Sequence, residues 1–359
     1  MIIPRCKVDV ITLADSVRCV RLRNPLMDVL VLPDKGADIY AIIDRASGID
    51  LLWKNAHGLR APNTGRLSPD SEVAWMEQYE GGWQEILPNG GNPCMYKGLE
   101  LSFHGESTML PWRFEVLRDD GAVVEVLFSA QLYRSPFRIE RRMRLDADAA
   151  CLRLAEKVIN QASEPMEFMW GHHPAFGAPL VSEHARLLCN ARTLIADADY
   201  DAPGNVLCPG ATYAWPYVDG QSGRIDMQIV PGRNEPRGVY AYLSDFDGPP
   251  WFAIINPVIG LGAGMAWSHA TYPYCWLWQE MHSGSGYPFY SRTYTMAVEP
   301  WSSIPGYGLQ RVINETGSQL SLGAGESLNS QLSVVLFTID PAHTVERINP
   351  DGSVVLQTS

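Results

Sequence analysis

Short apolar runs separated by turn residues dominate this chain. Phe137, Ile139, Met143 and Leu145 alternate with Arg138, Glu140, Arg142 and Arg144, the period of two that gives a strand one dry and one wet face. Similar runs fall at 20–23, 29–32, 123–128, 152–158, 239–243, 251–255 and 332–337. Turn formers punctuate them, as in Pro33-Asp34-Lys35-Gly36 and Asp247-Gly248-Pro249-Pro250. Long amphipathic helical repeats are absent, and 73–79 is the one short helix the pattern supports. Many strands between turns predict an all-β protein of stacked antiparallel sheets, with function carried on loops. No repeat or low-complexity linker divides the chain. A single β-sandwich domain over 1–359 is expected, with a loop-rich stretch at 182–236 as a candidate insertion.

Composition narrows the function. The 359 residues are 46% hydrophobic and 19% charged, which suits a large core, and the formal net charge is -12. With that charge and no clustered Lys and Arg, a nucleic-acid backbone is not an expected partner. The first residues lack the apolar run of a leader, and no stretch approaches the length of a membrane span. The seven cysteines are scattered and form no CxxC pair, so reduced thiols in a cytoplasm are expected.

Five of the eight histidines, His57, His184, His269, His282 and His343, have no neighbour that suggests chemistry. His104 is followed by Gly105, a residue that permits close approach of backbone or ligand. His172 and His173 follow an apolar strand, and alternation sends them to opposite faces. They are therefore a poor bidentate metal site, and no metal is expected. Pro174 should end the ladder there and leave the pair at a sheet rim. Glu299 ends an apolar strand, where desolvation would raise its pKa toward that of a useful base; a strand-end carboxylate reaching solvent is the simpler pattern. Trp83-Gln84-Glu85 and Trp278-Gln279-Glu280 each join an aromatic platform for the C–H face of a sugar to hydroxyl partners. Asn89, His172 and Arg292 complete the candidate substrate-binding set, with Arg292 and Arg311 as the possible phosphate contacts.

In order and spacing, these elements resemble the aldose 1-epimerase (galactose mutarotase-like) superfamily over about 29–337. Val31-Leu32-Pro33-Asp34-Lys35-Gly36-Ala37-Asp38-Ile39 with Leu51-Leu52-Trp53 is similar to the family's opening hairpin. His104-Gly105 and His173-Pro174-Ala175-Phe176 resemble its two histidine motifs. Val298-Glu299 resembles the strand delivering its catalytic Glu, and Leu322-Gly323-Ala324-Gly325-Glu326 its last turn. Residues 79–91 depart from the family's usual Arg-containing loop and look more like the Gly-Gly-Pro-rich loop of less characterised relatives. The resemblance implies a β-supersandwich and a cofactor-independent mutarotase. It implies that Glu299 takes the proton of the anomeric hydroxyl, His173 protonates the ring oxygen and His104 steadies charge on it. The expected partner is a small carbohydrate, free or phosphorylated, bound by a monomer or homodimer without nucleic acid or membrane. A carbohydrate isomerase or lyase using a Tyr or a metal, with His172, His173 and Glu280 or Glu299, is the rival enzyme. A non-catalytic sugar-binding protein is the other alternative.

Overall fold

The computed structural model describes residues 6–62, 68–220 and 223–358. Residues 1–5, the start of the stretch read for a leader, lie outside the described residues. Among the described residues, two large antiparallel sheets face one another. The eleven-stranded sheet runs, edge to edge, Lys7–Thr12, Arg18–Arg23, Met27–Leu32, Asp38–Asp44, Trp83–Ile86, Gly171–Phe176, Tyr294–Trp301, Tyr274–Met281, Arg237–Ser244, Thr193–Ala196 and Thr212–Ala214. The eight-stranded sheet runs Arg186–Cys189, Trp251–Asn256, Leu261–Trp267, Ser327–Thr338, Cys151–Asn160, Phe137–Asp146, Val123–Gln131 and Arg113–Asp119. The all-β expectation holds. Among the described residues, the α-helices are Ser71–Gln78, whose first turn is capped by the Asp70 carboxylate, and Leu309–Glu315.

Alternation builds the dry layer between the sheets. Phe137, Ile139, Met143 and Leu145 point inward with Val126, Phe128, Leu152 and Leu154, and meet Phe176, Val239, Leu277, Met296 and Val298 of the facing sheet. The inward row of the Phe137–Asp146 strand also contains Arg141, fully buried. Residues 182–236 supply one strand to the smaller sheet, two to the larger and the hairpin of Tyr217–Gly220 with Gly223–Asp226.

The outer face of the larger sheet is not left to water. Leu309 and Val312 of helix Leu309–Glu315 and Met169 cluster there with Trp276 and Trp301 of the sheet itself. Consequently the central strands Gly171–Phe176 and Tyr294–Trp301 are buried on both faces along their whole length. Pro174 does not end its ladder and the histidines are not at a rim. It lies opposite Trp83 in the middle of the sheet, where the register to Tyr294–Trp301 is interrupted between Gly171 and Ala175. Its missing N–H falls in that gap.

Candidate active site

Register decides which side chains share a face. His173 lies opposite Gln84, Trp301 opposite Gly171, Glu299 opposite Trp276 and Ala297 opposite Trp278. His173, Glu299, Trp276 and Trp278 therefore project together from the outer face. They line a cleft that is also walled by His104, Trp75, Tyr79, Tyr240, Phe289 and Tyr307.

Two glycines make room for Trp301, which lies behind the cleft residue Trp276. A Cβ on Gly171 would lie 2.1 Å from the Trp301 ring, and one on Gly90 2.5 Å from it. Trp301 stacks on Trp276 with centroids 3.8 Å apart and donates its indole N–H to Glu299 Oε2 at 2.9 Å. The other carboxyl oxygen, Oε1, lies 3.7 Å from His173 Nε2. Burial raises the Glu299 carboxyl to about 8, with the Trp301 hydrogen bond opposing, and lowers the His173 imidazole to about 4. Burial thus favours a neutral carboxylic acid beside a neutral imidazole over an ion pair, and the two groups share one dissociable proton. The Tyr79 hydroxyl lies 3.4 Å from the other imidazole nitrogen, Nδ1.

His104 enters from a loop in the left-handed conformation, at φ 51°. The Gly91 N–H donates to its Nδ1 at 3.1 Å. That bond fixes the hydrogen of the neutral ring on Nε2. Burial and the neighbouring His173 hold its pKa well below the usual histidine range. Gly105 serves backbone approach here: a Cβ would lie 2.3 Å from the Leu87 carbonyl oxygen. The imidazoles of His104 and His173 are 5.8 Å apart by centroid.

Other candidate residues are placed elsewhere, because neighbours along a strand cannot share a face. His172 and Glu85 face each other on the inner side of the sheet, with Trp83. There the Trp83 indole donates to His172 Nδ1 at 3.1 Å, and His172 Nε2 lies 3.2 Å from Glu156. Glu85 accepts from Trp170 at 3.0 Å and pairs with Arg141 at 3.1 Å. Glu85, Glu156 and His172 offer ligand atoms within 4.8 Å of one another, a set that could hold a metal. The Arg141 guanidinium already supplies positive charge to it, however, and the cluster is sealed between the sheets. Gln84 faces outward but bonds Asp38 and the Gly81 carbonyl beneath Tyr79. Asn89 ties its own loop to Asn92 and Ser102 and accepts from Leu309 N–H at the start of the second helix. Gln279 turns inward toward Met296. Glu280 accepts from Ser283 and Gly284 in the turn that follows its strand. Arg292 lies over the Tyr290 ring, and Arg311 is held by Asp199 and Glu315. Of the candidate substrate-binding set, the cleft takes in Trp278. Sequence reasoning missed Tyr79, Tyr200, Tyr240, Phe289 and Tyr307. No pattern local to those residues points to the cleft.

The fold is shared with solved galactose mutarotase-like proteins. A Klebsiella pneumoniae protein provisionally described as an aldose 1-epimerase superposes with TM-score 0.68 at 15% identity, over 92% of this chain and 83% of its own. A galactose mutarotase-like protein from Clostridium acetobutylicum gives TM-score 0.63 at 17% identity, over 93% and 99%. A galactose mutarotase related enzyme from Lactobacillus acidophilus gives 0.59 at 16% identity, over 90% and 98%. No curated protein matches the chain. Residues 14–336 match the family described as a domain of unknown function, DUF4432, and the chain belongs to that family.

Proposed function

We propose that this protein interconverts the α and β anomers of a free sugar by general acid–base ring opening, with no redox change and no cofactor. The observation that carries this reading is the Glu299–His173 pair, 3.7 Å apart on the floor of an aromatic cleft, with His104 beside it. Ring opening needs one proton removed from the C1 hydroxyl and one delivered to the ring oxygen. A pair holding a single proton has that inventory. Glu299 faces the C1 hydroxyl and His173 the ring oxygen, with His104 Nε2–H donating to the oxygen on which charge grows. Burial rests the shared proton on Glu299, so its transfer to His173 precedes ring opening. Reclosure on the other face runs the same transfers backward, so each group both gives and takes a proton in one cycle. The cleft volume of ≈ 190 Å³ suits one monosaccharide rather than a chain.

Tyr79, beside His173, is the tyrosine that a carbon-acid isomerase or lyase using a phenolate base would call on. Burial and nearby carboxyls hold its phenol well above the usual tyrosine range, which favours the anomeric reaction. The test is an NMR screen of free sugars for anomer exchange in D₂O, with and without exhaustive chelation. Exchange that survives chelation and leaves every C–H undeuterated supports the proposal. Deuterium entering a carbon position, or activity restored only by one divalent ion, overturns it.

A further inference from the structure

Apart from the Glu299–His173 pair, His104 and Asn92, the cleft is mostly aromatic surface. Tyr240 stands 5.8 Å from Tyr200 and 6.3 Å from Tyr307 by ring centroid, forming one wall. Trp278 and Phe289, 5.6 Å apart, form another. Among the described residues no Lys or Arg lines it. Arg311 is near, its guanidinium carbon 4.9 Å from the Tyr307 ring centroid, but it does not line the cleft and is held by Asp199 at 2.6 Å and Glu315 at 2.7 Å. The Tyr307 hydroxyl is engaged by Asp197 at 2.6 Å.

A phosphate, sulfonate or carboxylate set against these walls would give up hydration without gaining a counter-charge, which is disfavoured. A ring C–H face or a methyl group gains from the same walls. A site that hydrogen-bonds a given hydroxyl rejects the analogue lacking it by orders of magnitude, whereas an apolar wall does not.

We propose that the cleft selects uncharged sugars with an apolar edge away from C1, such as 6-deoxy sugars, and excludes phosphorylated and uronic ones. This rests on the mutarotase reading for the end of the sugar that meets Glu299 and His173. The test is calorimetric titration of the wild-type protein with four probes in each of the gluco and galacto series: the hexose, its 6-deoxy form, its 6-phosphate and its uronic acid. Within at least one series, the 6-deoxy sugar is expected to bind as tightly as the hexose or several-fold more tightly, and both at least about tenfold more tightly than the two anions. An anion that binds as well as its parent, a 6-deoxy sugar weakened tenfold or more, or no binding by any probe overturns the proposal. Anomer exchange measured on the same solutions separates the two readings. The expected binding order without exchange defeats the mutarotase and leaves the selectivity. Exchange of a 6-phosphate as efficient as that of its parent does the reverse.

Discussion

Replacing Glu299 with Gln is expected to stabilise the protein at neutral and alkaline pH, by an amount that grows with pH. Glu299 is 2% exposed, and burial lifts its carboxyl from 4.5 to about 8. The unfolded chain releases this proton near pH ~4.3, whereas the folded chain keeps it. Because the folded pKa is the higher one, the side chain's contribution to stability is greatest below the unfolded value. It falls as pH rises from about 4.5 to about 8. Each tenfold change in acidity is worth ~1.4 kcal/mol, so the cost at pH 8 is on the order of 3 kcal/mol once partial relaxation is allowed. Gln keeps the shape, its carbonyl can accept from Trp301 as Oε2 does at 2.9 Å, and it has no such proton to lose. Thermal unfolding of both proteins from pH 5 to pH 8 should show curves that nearly coincide at pH 5. At pH 8 the variant should be ahead by several degrees. A gap that does not change with pH, or a variant less stable at pH 8, refutes the buried acid.

Three further outcomes follow from the same geometry. The pair carries its single proton between about pH 4 and about pH 8, so kcat/KM for anomer exchange should form a bell with limbs near those values; a flat profile from pH 5 to pH 9 would contradict this. Arg141→Met leaves Glu85 and Glu156 without their buried cation and should cost roughly 3–5 kcal/mol in denaturant unfolding; a loss below ~1 kcal/mol would show that the network does not depend on the guanidinium. Gly171→Ala places a Cβ where the Trp301 ring lies, 2.1 Å away. It should lower anomer-exchange kcat with the displacement of Trp301 from Glu299, and unchanged kinetics would remove Trp301 from the account.

Much of the fold was legible because one face of many strands is wet. The 137–145 alternation marks the strand and its core face directly. Arg141 breaks that pattern: it occupies an inward position and was passed over, since nothing local shows that Glu85 waits for it across the sandwich. The central strands Gly171–Phe176 and Tyr294–Trp301 carry no alternation, because both of their faces are covered. Alternation separates His172 from His173, but which of them meets the cleft is decided by long-range register with Trp83–Ile86. The Trp-Gln-Glu triplets misled for the same reason. Consecutive strand residues cannot all face one ligand, so Trp83 and Glu85 turn inward while Gln84 turns out. His172, bonded between the sheets to Trp83 and Glu156, therefore belongs with stability rather than with ligand contact. The aromatic walls come from segments far apart in the chain, and only the tertiary fold brings Tyr79, Tyr240, Phe289 and Tyr307 together.

The central claim is that Glu299 and His173 act as one proton-transferring unit, and saturation-transfer NMR of anomer exchange tests it most directly. On a sugar that the wild-type protein turns over, Glu299→Gln and His173→Asn should each lower kcat by roughly 10²-fold or more, with a smaller effect on binding. The double variant should be little slower than either single one. Exchange at the wild-type rate in Glu299→Gln would contradict the claim.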